Sequence, residues 1–467
     1  MIFSSCLLTY SEIFRGIFVE KNIDLTKGPI SQKIFNFTLP IIGTSFINML
    51  YSFVDMACIG RIGSGAVAAV GTAGFFLWFA NASASMARIG AQVTVSQAFG
   101  KKDYERMRRF SETSLWINMV FGALVGILLF MFNGQVISFF HLGDQQIISD
   151  AMDYLSIIAL SMPFTYVNPV LGAIFNSAGN SKAPFIFNSV GLLFNIIFDI
   201  LLIFGIGPFP ALGVRGAAIA TALAQVLVFV LLVNYNSKVS DNLRFSLKKL
   251  PAWADVSEVC RIGLPSALQA TLYCCYSIFL ARIIANFGPV SIAVQKIGSQ
   301  IESISWMTAD GLAIAATAFV GQNYGLGNQD RIKKGIRVII GYALCFGTFA
   351  AILLIFFGRP VFSVFLQDQE SLLGGISYLR ILGYSQIFMS IEIVCIGIFN
   401  GHGETRLPAI ISILMTGARI PLAILLSRTP LGVDGIWWAI SGTSIAKGIV
   451  FPMVYLFYQR NLNYNKL

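Results

Sequence analysis

Charge is scarce in this sequence: Asp, Glu, Lys and Arg make up 12% of 467 residues, against 56% hydrophobic residues and a mean hydropathy of +0.74. A chain so poor in charge cannot clothe a water-soluble surface, so a soluble globular domain is excluded and a helical membrane protein is expected. Histidine is nearly absent. The two histidines, His141 and His402, fall where loops are expected, and no HExxH or Cys/His metal centre can be assembled from them. Cysteines Cys6, Cys58, Cys260, Cys274, Cys275, Cys345 and Cys395 lie in or beside apolar runs without CxxC spacing, which leaves them as small packing residues. There is no Walker A motif, so coupling to ATP within the chain is not expected, and no nucleophile-base constellation that would make it an enzyme. The stretch from Met1 to Gly28 lacks a basic start, an adequate apolar core and a small-residue cleavage site, so it does not read as a signal peptide. It is either an interfacial helix or a stretch upstream of the true start.

Long apolar runs are what the sequence does have. Twelve segments can be counted, at 34–60, 66–95, 111–140, 147–177, 183–206, 211–236, 256–286, 289–320, 335–365, 370–400, 406–428 and 432–458. An even number leaves both termini on one side. The formal charge of +10 is carried by Lys and Arg in alternate loops: Lys101, Lys102, Arg106, Arg108 and Arg109; then Lys238, Arg244, Lys248 and Lys249; then Arg331, Lys333, Lys334 and Arg337. The intervening loops are acidic or neutral. The positive-inside rule makes the basic loops and both termini cytoplasmic, and this pattern favours a membrane rim over nucleic-acid binding.

Within the first run, Lys33 to Gly63, Pro40 precedes Asp55 by 15 residues, about 22 Å along a helix, which sets a carboxylate inside the bilayer. An ionisable residue there costs about 3 kcal/mol or more to insert unless it faces a cavity or a partner. Asp55 therefore either pairs with Arg61 or Arg88 or belongs to a functional site. In the fifth run Asn195 and Asp199 stand at i and i+4, on one helix face, at a depth near that of Asp55. Thr221 in the sixth adds a hydroxyl. Two carboxylates, an amide and a hydroxyl make a hard, oxygen-rich set suited to Na⁺ or a shared proton.

The chain also repeats. A shift of 225 residues aligns Pro40 with Pro265, Gly63 with Gly288, Gln97 with Gln322 and Gly100 with Gly325; 224 superposes residues 174–184 on 398–408, and 219 superposes 213–218 on 432–437. Two six-helix halves result. Because six is even, both enter the membrane in the same direction, related by an axis along the membrane normal. The halves differ most in their polar residues: Asp55 corresponds to Leu280, Asn195 to Arg419, Asp199 to Ala423 and Thr221 to Ile440. The expected divisions are residues 1–28, a first bundle over 29–237, a linker over 238–255, a second bundle over 256–459 and a tail over 460–467.

The first-span Pro40 and Asp55 with Tyr51 between them, the QAFGKKD and VGQNYG turns, NIIFD (Asn195 to Asp199), GVRGAAIAT (Gly213 to Thr221) and IFNGHGETRLP together resemble the multidrug and toxic compound extrusion (MATE) transporters. The resemblance covers nearly all of the chain from about Asp24. It implies an all-α polytopic membrane protein with twelve transmembrane helices in two six-helix bundles, exporting organic cations and drugs in exchange for H⁺ or Na⁺. In the DinF-like branch the ion site carries over to Asp55, Asn195, Asp199 and Thr221, with Na⁺ held at the first three where Na⁺ is the ion, and the first helix bends near Pro40 and Tyr51. The NorM-like branch has a Glu where this chain has Tyr273, which argues against that branch's second-half site. Glu392, equivalent by the repeat to Asn168, either contacts a cationic substrate or gates, as Asn168 would, or pairs with Arg380 or Arg419. Phe75, Phe76, Trp78, Phe79 and Trp306 either line a cleft for flat cations or face lipid. The expected partners are small cationic or amphipathic molecules, H⁺ or Na⁺ and the lipid bilayer, with no other cofactor and no nucleic acid; a monomer in the plasma (inner) membrane is expected. The alternative function is a flippase for a lipid-linked or amphipathic substrate, which would call for a cationic cleft.

Overall fold

The computed structural model describes residues 23–140, 143–238, 244–246, 249–365 and 368–464. The first-half spans are Ile30–Gly60, Ser64–Lys101, Tyr104–Met131, Gln145–Ser177, Lys182–Phe204 and Val214–Lys238. In the second half, Trp253–Ala285, Pro289–Leu326 and Gln329–Phe356 are followed by a bent pair, Gln369–Gly383 and Gln386–His402. The eleventh span is Arg406–Gly417 continued by Arg419–Ser427, and the twelfth is Val433–Tyr464. Among the described residues, eleven helices are long and apolar enough to cross a membrane, and the bent pair taken as one span makes twelve. The expected all-helical, two-bundle architecture is the one observed. The segment 1–20, His141, Cys6 and much of the 238–255 linker lie outside the described residues.

The repeat is visible in local chemistry. Asp103 and Asn328 each cap the helix that follows, accepting from the amides of Arg106 at 3.0 Å and Arg331 at 3.1 Å. Before each cap the backbone turns left-handed, at Lys102 with φ 61° and at Gly327 with φ 79°. Lys102 is the only described non-glycine residue with positive φ, held there by the cap on one side and the end of the second span on the other. The run expected at 111–140 is two helices, because the chain breaks at Phe132 before a short helix, Asn133–Ser138; the equivalent break at Phe357 precedes Gly358–Ser363.

The tenth span, expected as one helix, bends by 51° at Tyr384 and Ser385. Donors crowd the Leu382 carbonyl, among them the Ser385 amide at 3.1 Å, the Ser385 hydroxyl at 2.9 Å and the Gln386 side-chain amide at 3.1 Å. Side chains that take over a helix carbonyl in this way open the ladder and bend the helix.

The two bundles meet along the second half of the second and eighth spans, where Ala and Gly replace larger residues and allow backbones to approach. The contact is reciprocal. Gln97 donates to the Gly401 carbonyl at 3.1 Å, and its counterpart Gln322 donates to the Ser177 carbonyl at 2.8 Å. A methyl group on Gly100 would fall on the Gln322 carbonyl, and one on Gly325 on the Gln97 carbonyl. Ion pairs Arg106–Glu258 at 2.9 Å and Arg109–Asp255 at 4.0 Å cross the same end. We expect Gly100→Val to cost about 1–3 kcal/mol by overpacking and to loosen this closure. The check is maleimide labelling of Ser177→Cys, which should rise in the Gly100→Val background; unchanged labelling would contradict the packing argument.

The segment before the first span ties this end further. Ile23 donates to the Gly179 carbonyl of the first half at 2.9 Å, while Arg331 of the second half donates to the carbonyls of Leu25, Lys27 and Gly28 at 2.9–3.0 Å. Leu25 is 0% exposed within an apolar cluster shared by the first, eighth, ninth, tenth and twelfth spans. Burial opposes ionisation of Asp24 in this segment, but bonds from the Thr26 hydroxyl and amide, with Lys33 and Lys27 nearby, outweigh it and hold the carboxyl below the ordinary range.

Candidate functional site

The first, fifth and sixth spans converge because small residues let them. Gly43 of the first span packs against Phe185 of the fifth, with no room for a methyl group between them, and Gly191 receives the Tyr51 hydroxyl in the same way. Gly191, Asn195 and Asp199 recur every four residues on one buried face of the fifth helix. Asn195 and Asp199 are 0% exposed. Opposite them lie Asp55 and, from the sixth span, Thr221.

The structure brings Asp55, Asn195, Asp199 and Thr221 together. The Thr221 hydroxyl donates to Asp55 Oδ2 at 3.1 Å, and the Asn195 amide donates to Thr221 Oγ1 at 3.5 Å. The carboxyls of Asp55 and Asp199 are within hydrogen-bonding reach of each other. Tyr154 of the fourth span, which sequence reasoning missed, is buried in the neighbourhood of the same two carboxyls. Its ring lies in an ordinary apolar helix, and nothing in its spacing marked it.

Five buried oxygens here have no donor: Asp55 Oδ1, Asn195 Oδ1, both carboxyl oxygens of Asp199, and the Tyr51 hydroxyl. Leaving one buried acceptor unsatisfied costs about 1–3 kcal/mol, more when it is charged. A cluster of them, with two facing carboxylates, calls for a positive charge: a proton shared between the carboxyls or a hard cation such as Na⁺. Neither Arg61 nor Arg88 is ion-paired to Asp55 among the described residues, so the simple helix-end pairing is not what is found. Pro40 lies inside a continuous helix, where the Thr44 hydroxyl donates to its carbonyl at 3.0 Å and Ser45 to the Ile41 carbonyl at 3.4 Å.

The remaining candidates lie elsewhere. Asn168 donates to the Gln225 carbonyl and side-chain oxygen, both at 2.9 Å, in the interior of the first bundle. Glu392 pairs with Lys447 at 2.7 Å, not with Arg380 or Arg419. Arg419 instead donates to Thr443 at 3.1 Å and Ser444 at 3.3 Å. Lys447 stands in the sequence as a lone cation within the apolar twelfth run, a signal that could have pointed to it. His402, expected in a loop, is the buried last residue of its helix, packed among Tyr324, Tyr455 and Tyr458. Phe75 and Phe76 pack on Phe140, and Trp78, Phe79 and Trp306 are exposed within their spans.

Two homologous six-helix bundles spanning a membrane, with an acidic cluster inside one of them, define a two-bundle transporter architecture. The MatE family model matches residues 40–201 and again residues 265–425, and the chain belongs to that family. The two matches start 225 residues apart, the offset of the internal repeat. Among curated relatives, the probable multidrug resistance protein NorM of Thermotoga maritima is 28% identical over 414 residues, covering 87% of this chain and 88% of that protein. The probable multidrug resistance protein YoeA of Bacillus subtilis is 27% identical over 444 residues, covering 93% and 94%. A solved MOP superfamily transporter from Pyrococcus furiosus superposes with a TM-score of 0.87 at 21% identity, over 96% of this chain and 99% of that one.

Proposed function

We propose that the protein is a secondary antiporter that exports organic cations and drugs across the cell membrane in exchange for H⁺ or Na⁺. The observation that carries this reading is the group of five donorless oxygens around Asp55 and Asp199. The relatives named as probable multidrug resistance proteins support the substrate class. The acidic character of the cluster favours cation exchange over a flippase for phosphate-bearing lipids, and its confinement to the first bundle, with Tyr273 in the seventh span, favours the DinF-like branch.

By the positive-inside rule the basic loops and both termini are cytoplasmic, so the described conformation is closed on the cytoplasmic side. Without a cation the two carboxylates repel, and binding one draws the first, fifth and sixth spans together. A ligand can shift an equilibrium between conformations only by its differential affinity for them, and this contraction is where the difference arises. Pro40 is the pivot: it lacks an amide proton, and hydroxyl back-bonding on the next turn lowers the cost of bending. We expect Pro40→Ala to slow turnover several-fold with substrate binding nearly unchanged; weakened binding with unaltered turnover per bound substrate would rule out the pivot.

The function is tested by ethidium uptake into inverted membrane vesicles under separately imposed Na⁺ and proton gradients. One of the two should drive accumulation. Accumulation that needs neither, or that requires ATP, overturns the reading.

A further inference from the structure

Between the tenth, eleventh and twelfth spans the second bundle holds an ion pair that antiport by the first bundle does not use. Lys447 Nζ lies 2.7 Å from Glu392 Oε1, with both side chains 8% exposed, and donates to Thr416 Oγ1 at 3.5 Å. A carboxylate and a threonine hydroxyl are the oxygen groups that also meet at Asp55 and Thr221 in the first bundle. There the oxygens lack a positive partner; here the chain supplies one on a four-carbon tether. Both members are particular to this half, since the repeat places Asn168 opposite Glu392 and Val228 opposite Lys447.

We propose that the Lys447 ammonium is a built-in counter-ion that permanently fills a monovalent-cation site in the second bundle. Only the first bundle then exchanges its cation with solution. The consequence for coupling rests on the antiport reading above, but the latent site does not. A buried carboxylate stripped of its partner must neutralise, by taking up a proton or by capturing an alkali cation. Removing the ammonium therefore uncovers a site for H⁺ or Na⁺ at Glu392 and Thr416. Arg419, tied to Thr443 and Ser444, is a second cation near this pair among the described residues and the competitor for Glu392 once Lys447 is gone.

The test uses the purified full chain carrying Asp55→Asn and Asp199→Asn, which silences the first bundle, with and without Lys447→Gln. Sodium binding is measured with radioactive Na⁺, and protonation of Glu392 by its infrared carbonyl band, assigned with Glu392→Gln. Adding Lys447→Gln should yield about one further cation equivalent per chain, as bound Na⁺ or as protonated Glu392, and Glu392→Gln in the same chain should remove it. A folded Lys447→Gln protein with neither overturns the proposal. If Lys447→Gln folds poorly, its melting temperature should rise with added Na⁺ or with lowered pH, and absence of both rescues overturns the proposal equally. Failure of the antiport reading would show separately, as equal cation binding by the wild type and the Asp55→Asn/Asp199→Asn chain.

Discussion

Asp55→Asn is expected to abolish gradient-driven export while the protein still folds. An amide has nearly the shape of the carboxyl and can still accept from the Thr221 hydroxyl, so the local packing survives and stability should change by about 1 kcal/mol or less. What is lost is the charge whose neutralisation distinguishes the two conformations. Each pH unit of gradient is worth about 1.4 kcal/mol, or about tenfold in substrate accumulation, and the variant should lose that whole response. Ethidium accumulation at the wild-type ratio in a well-expressed Asp55→Asn protein would remove Asp55 from the coupling site.

Asp199→Asn should be as severe, for a reason specific to the geometry. Neither Asp199 oxygen has a donor, and Asp55 is its neighbour. A side-chain amide at this position donates to Asp55 permanently, imitating the proton-bound state and fixing the contracted arrangement of the first and fifth spans. Export should fall to the gradient-independent level even though Asp55 is intact. Glu392→Gln provides the contrast. It strands a buried Lys447, a loss of about 3–5 kcal/mol when one partner of a buried pair is removed, so its first effect is on stability. A substrate contact at Glu392 would make an altered substrate range the expected effect; the Lys447 partner redirects the expectation to a lower melting temperature. The Glu392→Gln protein that survives should keep its gradient response. If it loses that response while Asp199→Asn keeps it, coupling resides in the second bundle.

The ion cluster was legible because its members are polar residues standing alone in Leu/Ile/Phe-rich runs, and helix periodicity put Asn195 and Asp199 on one face. The repeat was legible because Gly, Pro and Gln recur at a fixed offset, and it returned the reciprocal contacts of Gln97 and Gln322. Pairing across non-adjacent spans was not: no spacing rule connects Glu392 in the tenth span with Lys447 in the twelfth. The tie between Arg331 and the segment before the first span was hidden for another reason, since the acceptors are backbone carbonyls, which every residue carries. The bend at Ser385 arises from competition for one carbonyl in a stretch without proline, and hydropathy is blind to that.

The most direct measurement is the cation released when substrate binds. With purified protein equilibrated in Na⁺ or at a pH where the carboxyls share a proton, adding ethidium should release about one H⁺ or Na⁺ per ethidium bound, and Asp199→Asn should release none. Equal release by the wild type and Asp199→Asn, or ethidium binding with no release from the wild type, would contradict a coupling site at Asp55 and Asp199.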